Sequence, residues 1–397
     1  MMTDPDSIAG LWPSLEPAFD EGDSAMAIPE GVERVDLPQS HVAPQRGGDL
    51  RHLAGETRQR GPHPLPVFLD TVARVCGNDR ARLARVLAGV RRYQEAGPGA
   101  VRGLRPVIGE VGGSMLRDFG GIGQVVVVVP SLINPPTVLD LAPGNSLLDG
   151  LAGRGLRPLM VDWGPVGPAG LEELVETRLV PLVAGIGAPV AMLGYCLGGT
   201  LGLAAAAMLG LQVSRITLLA TPWRFTGYGN EGGGLIDWWE KTGPLAGALG
   251  AVPMDLLQPA FWSLDAEGLA AKYERLATLP EAAVAAFAVL EDWSNTGEPL
   301  SLAAARGLAE DLFRDDMPGR GKWRIGGRAV DPGALGIPIL DIIALRDRIV
   351  PPAAALSVSG VGEAMPLDAG HVGMVVGGRA PAMLWDPLAA WLRGEAA

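Results

Sequence analysis

One cysteine in this chain stands where a nucleophile could be made. Val190 to Leu193 is an apolar run that reads as a strand. It leads into Gly194-Tyr195-Cys196-Leu197-Gly198-Gly199-Thr200, and Gly199 to Leu211 reads as a helix of small apolar residues. Strand, sharp turn, helix is the setting of a nucleophile elbow, a strained turn that lifts one side chain clear of the sheet. Gly194 and Gly198 must then be small, because any Cβ there would meet the folded-back chain. At the start of a helix, unpaired N–H groups and the helix dipole favour an anionic sulfur. The competing reading is a buried structural cysteine on a glycine-rich turn.

A thiol nucleophile needs a base, and the base needs an acid to orient it. The chain has four histidines, of which His41, His52 and His63 fall in the irregular N-terminal part. His371 lies in Asp368-Ala369-Gly370-His371-Val372-Gly373, after the last expected strand. Asp347 directly follows the apolar run Ile337 to Leu345. Asp341 is the competing acid, but it lies inside that run and is expected to pair with backbone or a neighbour. The bland reading of Asp347 is a solvated loop acid between Arg346 and Arg348. The chain order is Cys196, Asp347, His371, with separations of 151 and 24 residues. The first leaves room for a strand, an insertion and another strand, and the second for a helix and a strand. The oxyanion donors expected with this elbow are the backbone N–H of Leu197 and one from the loop after Val129, Leu132 or Ser131.

The elements that must position these residues follow an α/β pattern. Val125 to Val129 and Arg157 to Asp162 read as strands buried on both faces. Ser146 to Ala152 and Leu171 to Ile186 read as helices, and Arg215 to Ala220 as a further strand. Strands alternating with helices imply right-handed crossovers and a mostly parallel sheet. The alternation stops after Pro222. Residues 224–335 are expected to form a helical lid over the strand ends, carrying Trp238, Trp239, Trp262, Trp293 and Trp323, half of the ten tryptophans. Most of these read as lid core, with one or two lining an acyl pocket. The expected organisation is an irregular segment over 1–64, a helical region over 65–104, an α/β core over 105–223 and 336–397, and the lid between. In the first segment Trp12, Leu15 and Phe19 read as a loose tail rather than a docking turn. In the second, Asn78 is the expected cap of a helix whose stripe is Leu83, Val86, Leu87 and Val90. Arg80, Arg82, Arg85, Arg91 and Arg92 read as its solvated face, with an anion-binding patch as the alternative. Cys76 is expected in the turn before it, in a structural role.

Composition narrows the function classes. The chain has 397 residues, 48% hydrophobic and 19% charged, with a net charge of −12. That balance argues against a nucleic-acid partner and against charge-driven binding to an anionic membrane. The acidic start, Met1-Met2-Thr3-Asp4-Pro5-Asp6, does not read as a signal peptide. No apolar run approaches the roughly 18 residues of a membrane span. Two cysteines give neither a disulfide framework nor zinc-site spacing, and fit a cytoplasmic, reducing location. No metal and no cofactor are expected.

The same residues resemble a known family. Gly194-Tyr195-Cys196-Leu197-Gly198-Gly199 is similar to the G-x-C-x-G-G box of the polyhydroxyalkanoate synthases, of the α/β-hydrolase superfamily. Pro130 to Leu141, Asn145-Ser146-Leu147 and Gly370-His371-Val372-Gly373-Met374 agree in order. Val161-Asp162-Trp163-Gly164, Lys272-Tyr273 and Glu291-Asp292-Trp293 resemble the short, two-subunit class. The resemblance covers roughly residues 105–395. It departs at Arg348, where the family has histidine, and at Gln258-Pro259, where a basic residue precedes the proline. It implies an α/β-hydrolase fold with a helical lid insertion, Cys196 as acyl-carrying nucleophile, His371 as base and Asp347 as its partner. It further implies 3-hydroxyacyl-CoA as substrate, a growing polyester as product, and a place in the cytoplasm or at the polyester surface. It admits a second synthase subunit or a homodimer as partner. A cysteine-dependent hydrolase of thioesters, esters or stored polyester is the alternative on the same fold.

Overall fold

Five consecutive valines explain the layout. In the computed structural model, which describes residues 60–97, 99 and 102–395, Val126 and Val128 pack into one hydrophobic layer while Val127 and Val129 pack into another. A strand alternates its side chains between two faces, so an unbroken apolar run means that both faces are covered. The strand is β3 of an eight-stranded sheet: β1 (Val107–Val111), β2 (Ser114–Asp118), β3 (Gln124–Val129), β4 (Leu156–Asp162), β5 (Val190–Tyr195), β6 (Val213–Leu219), β7 (Ile339–Ala344) and β8 (Glu363–Leu367). The spatial order is β1-β2-β4-β3-β5-β6-β7-β8. Strands β3 to β8 are parallel, and β2 is antiparallel to both its neighbours.

Helices cover both faces and the strand ends. Helices α1 (Leu65–Cys76) and α2 (Arg80–Glu95) precede the sheet. Helix α3 (Leu147–Ala152) lies on one face, and α4 (Leu171–Leu174, extended by further turns to Ala184) with α5 (Leu197–Leu209) on the other. The insertion between β6 and β7 carries α6 (Gly229–Leu249), α7 (Met254–Leu264), α8 (Ala266–Leu276) and α9 (Glu281–Ser294). Helix α10 (Asp386–Arg393) closes the chain beside α3, through Trp385 and Leu388.

Helices α1 and α2 pack on the insertion rather than on the sheet. Phe68, Val72, Val86 and Tyr93 share a core with Trp262, Tyr273, Leu276 and Phe287. Phe68 meets Tyr273 edge-on at 5.0 Å and Trp262 at 5.5 Å, contacts worth about 0.5–1.5 kcal/mol each beyond their area. Gly89 brings α2 against α8 so closely that a Cβ there would stand 1.8 Å from the Tyr273 carbonyl oxygen.

The arginine face of α2 differs from its expected role. Arg82 pairs with Glu267 and Glu274, Arg85 with Glu274, and Arg92 with Glu281. It is a docking face for the insertion, and sequence alone cannot show the acids that lie about 190 residues away. Arg82 and Arg92 are half-buried by this docking, while Arg80, Arg85 and Arg91 stay exposed. Asp79, not Asn78, caps the helix, accepting the Arg82 N–H at 2.8 Å. Cys76 ends α1, buried, and Leu87 is exposed instead of joining the stripe. The elbow helix begins at Leu197 and ends at Leu209, which leaves Leu211 in solvent. Trp12, Leu15, Phe19, His41 and His52 lie outside the described residues.

Candidate active site

Cys196 sits at the tip of the turn between β5 and α5, with φ 55° and ψ −133°. A non-glycine residue adopts that conformation only when its surroundings enforce it. Here they do. The Cys196 N–H donates to the Leu219 carbonyl at 2.9 Å, and its carbonyl accepts the Gly199 N–H at 2.9 Å. A Cβ on Gly194 would stand 2.2 Å from the Gly199 Cα, one on Gly198 2.1 Å from the Val129 carbonyl, and one on Gly199 1.9 Å from Thr221 Oγ1. Three glycines therefore let β3, β5 and α5 converge under the sulfur.

The base and the acid come from the ends of the next strands. Asp347 follows β7, and its side chain is fully buried. Its Oδ1 accepts the N–H groups of Ile349 and Val350 at 2.7 and 2.9 Å. Its Oδ2 lies 2.6 Å from His371 Nδ1, in the loop after β8. On the other side, the Cys196 sulfur shares a cavity with the His371 ring, near enough for its charge to act on the imidazole. Tyr195 donates to the His371 carbonyl at 3.3 Å, and its ring centroid lies 5.1 Å from the imidazole. Burial disfavours the imidazolium, but the charges of Asp347 and Cys196 and the hydrogen bond to Asp347 outweigh it, and the His371 pKa is pushed up to about 10. Asp341 takes no part: its Oδ2 accepts the Ser357 N–H at 2.7 Å, away from the histidine.

Cys196, Leu197, Tyr195 and His371 open into a cavity of about 450 Å³ roofed by the insertion. Its walls are mostly apolar, with Trp238, Phe261, Trp262 and Trp293 contributed by the lid. Three of the five lid tryptophans thus face the cavity. Trp323 is core, against Trp223, and Trp239 donates to Glu310. Arg348 and the Lys272–Glu291 pair also reach the wall.

The loop after β3, which carries both expected second oxyanion donors, borders two cavities. Ser131 lines the Cys196 cavity and a neighbouring cavity of about 480 Å³, and Leu132 lines the neighbouring one. The Ser131 hydroxyl accepts the Ile133 N–H at 3.4 Å, which tightens the loop there. His63 also lines that neighbouring cavity, together with Asp162, Asp255 and Glu298. Tyr228, which no motif marks, lines the Cys196 cavity from the loop after β6. Its one sequence signal is scarcity, since the chain has four tyrosines.

A strand order of 1-2-4-3-5-6-7-8, a nucleophile-type elbow after β5, an acid after β7 and a histidine after β8 define the α/β-hydrolase fold, here with cysteine at the elbow and a helical lid. No protein-family model matches the chain. In sequence it is similar to poly(3-hydroxyalkanoate) polymerase subunits. It is 28% identical over 290 residues to the polymerase subunit PhaC of Haloferax mediterranei, covering 67% of this chain and 58% of that protein. It is 28% identical over 295 residues to the PhaC of a Synechocystis strain, covering 67% of this chain and 77% of that protein. The match spans 58% and 60% of the length of two haloarchaeal relatives. Solved structures similar to it include the Paleococcus ferrophilus monoacylglycerol lipase, 13% identical, with a TM-score of 0.44 over 71% of this chain and 98% of that one.

Proposed function

We propose that the protein is an acyltransferase that builds polyester from 3-hydroxyacyl-CoA through a thioester on Cys196. The observation that carries the reading is the Asp347–His371 hydrogen bond beside Cys196, set in an apolar, lidded cavity. The sulfur attacks the thioester carbonyl, the C–S bond to CoA breaks, and the imidazolium of His371 gives its proton to the departing thiolate. Asp347 holds the ring and offsets its charge. The Leu197 N–H and a second from the loop after β3, that of Leu132 or Ser131, stabilise the oxyanion. His371, now neutral, takes the proton of the 3-hydroxyl of another unit. That oxygen attacks the acyl-cysteine, an ester forms, and the Cys196 sulfur leaves as the anion.

Cysteine suits this chemistry because thioester is exchanged for thioester. Little free energy is lost and the acyl group stays activated, whereas a serine ester would lose that activation. The lid keeps water from the same intermediate. The test is incubation with 3-hydroxybutyryl-CoA, following CoA and product together. CoA release with polymer formation is expected. CoA release with free 3-hydroxybutyrate alone would make the protein a thioester hydrolase of the same fold.

A further inference from the structure

Tyr228 carries a hydroxyl that the catalytic chain does not use. The residue is 8% exposed and lines the Cys196 cavity. Among the described residues none hydrogen-bonds to its hydroxyl. The hydroxyl oxygen is accessible rather than sealed in the core, and a donor left open toward a cavity without a protein partner points to a ligand atom. The ring is fixed rather than adaptable: it stacks on Phe225 at 5.9 Å with 14° between the planes, and meets Phe313 edge-on at 4.8 Å. Tyr195 and Trp293, other ring donors of the wall, donate to the carbonyls of His371 and Pro135.

The position of Tyr228 decides which ligand atom it meets. The oxyanion donors lie on the β3 side of the elbow. Tyr228 follows β6, on the side of Asp347 and His371. The substrate carbonyl oxygen is thus held on one flank, and Tyr228 faces the other. On a 3-oxygenated acyl chain, the oxygen on that other flank is the one at C3, two carbons beyond the reacting carbonyl carbon. Burial, then the charges of Cys196 and Asp347, hold the phenol well above its ordinary pKa, so it stays a neutral donor at working pH.

We infer that Tyr228 is a specificity-determining residue, whose hydroxyl donates a hydrogen bond to the C3 oxygen of the bound acyl chain and selects 3-oxygenated thioesters over plain acyl thioesters. This rests on the acyl-transfer reading above. A site built to hydrogen-bond a substrate oxygen discriminates against the analogue that lacks it, because its own polar group is then left unpaired.

The test compares wild type and Tyr228→Phe, a change that keeps the ring and its stacking. For each, the rate of the first CoA released per Cys196 is measured with 3-hydroxybutyryl-CoA and with butyryl-CoA. The ratio of the two rates is expected to fall about tenfold to a hundredfold in the variant, as for one hydrogen bond in a buried site. An unchanged ratio, whatever happens to the absolute rates, overturns the inference alone. Wild-type protein that releases CoA from neither thioester overturns the acyl-transfer reading and this inference with it.

Discussion

At the scale of single residues, the site is a line of charge and strain. Cys196 is held at φ 55°, and the carboxylate of Asp347 is bound by two backbone N–H groups before it meets the imidazole. The pKa of His371 is raised from 6.5 to about 10, so the folded state binds its proton more tightly than the unfolded chain. The stability this contributes is full below about pH 6.5 and is lost as pH rises through about 10. The difference in unfolding free energy between wild type and His371→Gln should therefore shrink between those two pH values, read by urea denaturation at each. In a Cys76→Ala background, the same His371→Gln change should slow iodoacetamide alkylation of Cys196 at neutral pH by about tenfold, since the sulfur loses its cationic partner. An alkylation rate indifferent to His371 would uncouple the two. Cys196, Asp347 and His371 were legible because each ends a strand inside a short distinctive string. Tyr228 was not, because it lies where the alternation of strand and helix has stopped and nothing marks its spacing.

At the scale of elements, the sheet was the most legible part. Apolar runs such as Val125 to Val129 read as strands covered on both faces, and their alternation with helices implied a mostly parallel sheet, while the edge hairpin of β1 and β2, with its mixed composition, gave no such signal. Long-range docking was the least legible. The arginines of α2 look solvated until α8 and α9 bring Glu267, Glu274 and Glu281 to them. Gly89 sets how near α2 comes to α8, and α8 supplies Leu269 and Lys272 to the cavity wall. Gly89→Val should push the helices apart and destabilise the protein by about 2–3 kcal/mol, as overpacking of a tight contact does. A urea midpoint equal to that of wild type would show that this contact carries no such load.

At the scale of the molecule, three layers converge on one volume. The sheet supplies Cys196, Asp347 and His371 at its strand ends, the insertion supplies the apolar roof, and the helices before the sheet brace that roof. Among the described residues no helix is long and apolar enough to cross a membrane. The proposed chemistry turns on Cys196 carrying the acyl group during transfer. The most direct measurement is the intact mass of the protein, taken soon after mixing with 3-hydroxybutyryl-CoA and followed by peptide mapping. The prediction is an adduct of one or more 3-hydroxybutyryl units on Cys196 in wild type, and neither adduct nor CoA release in Cys196→Ala. CoA release that persists in Cys196→Ala, or an adduct mapped to another residue, would contradict it.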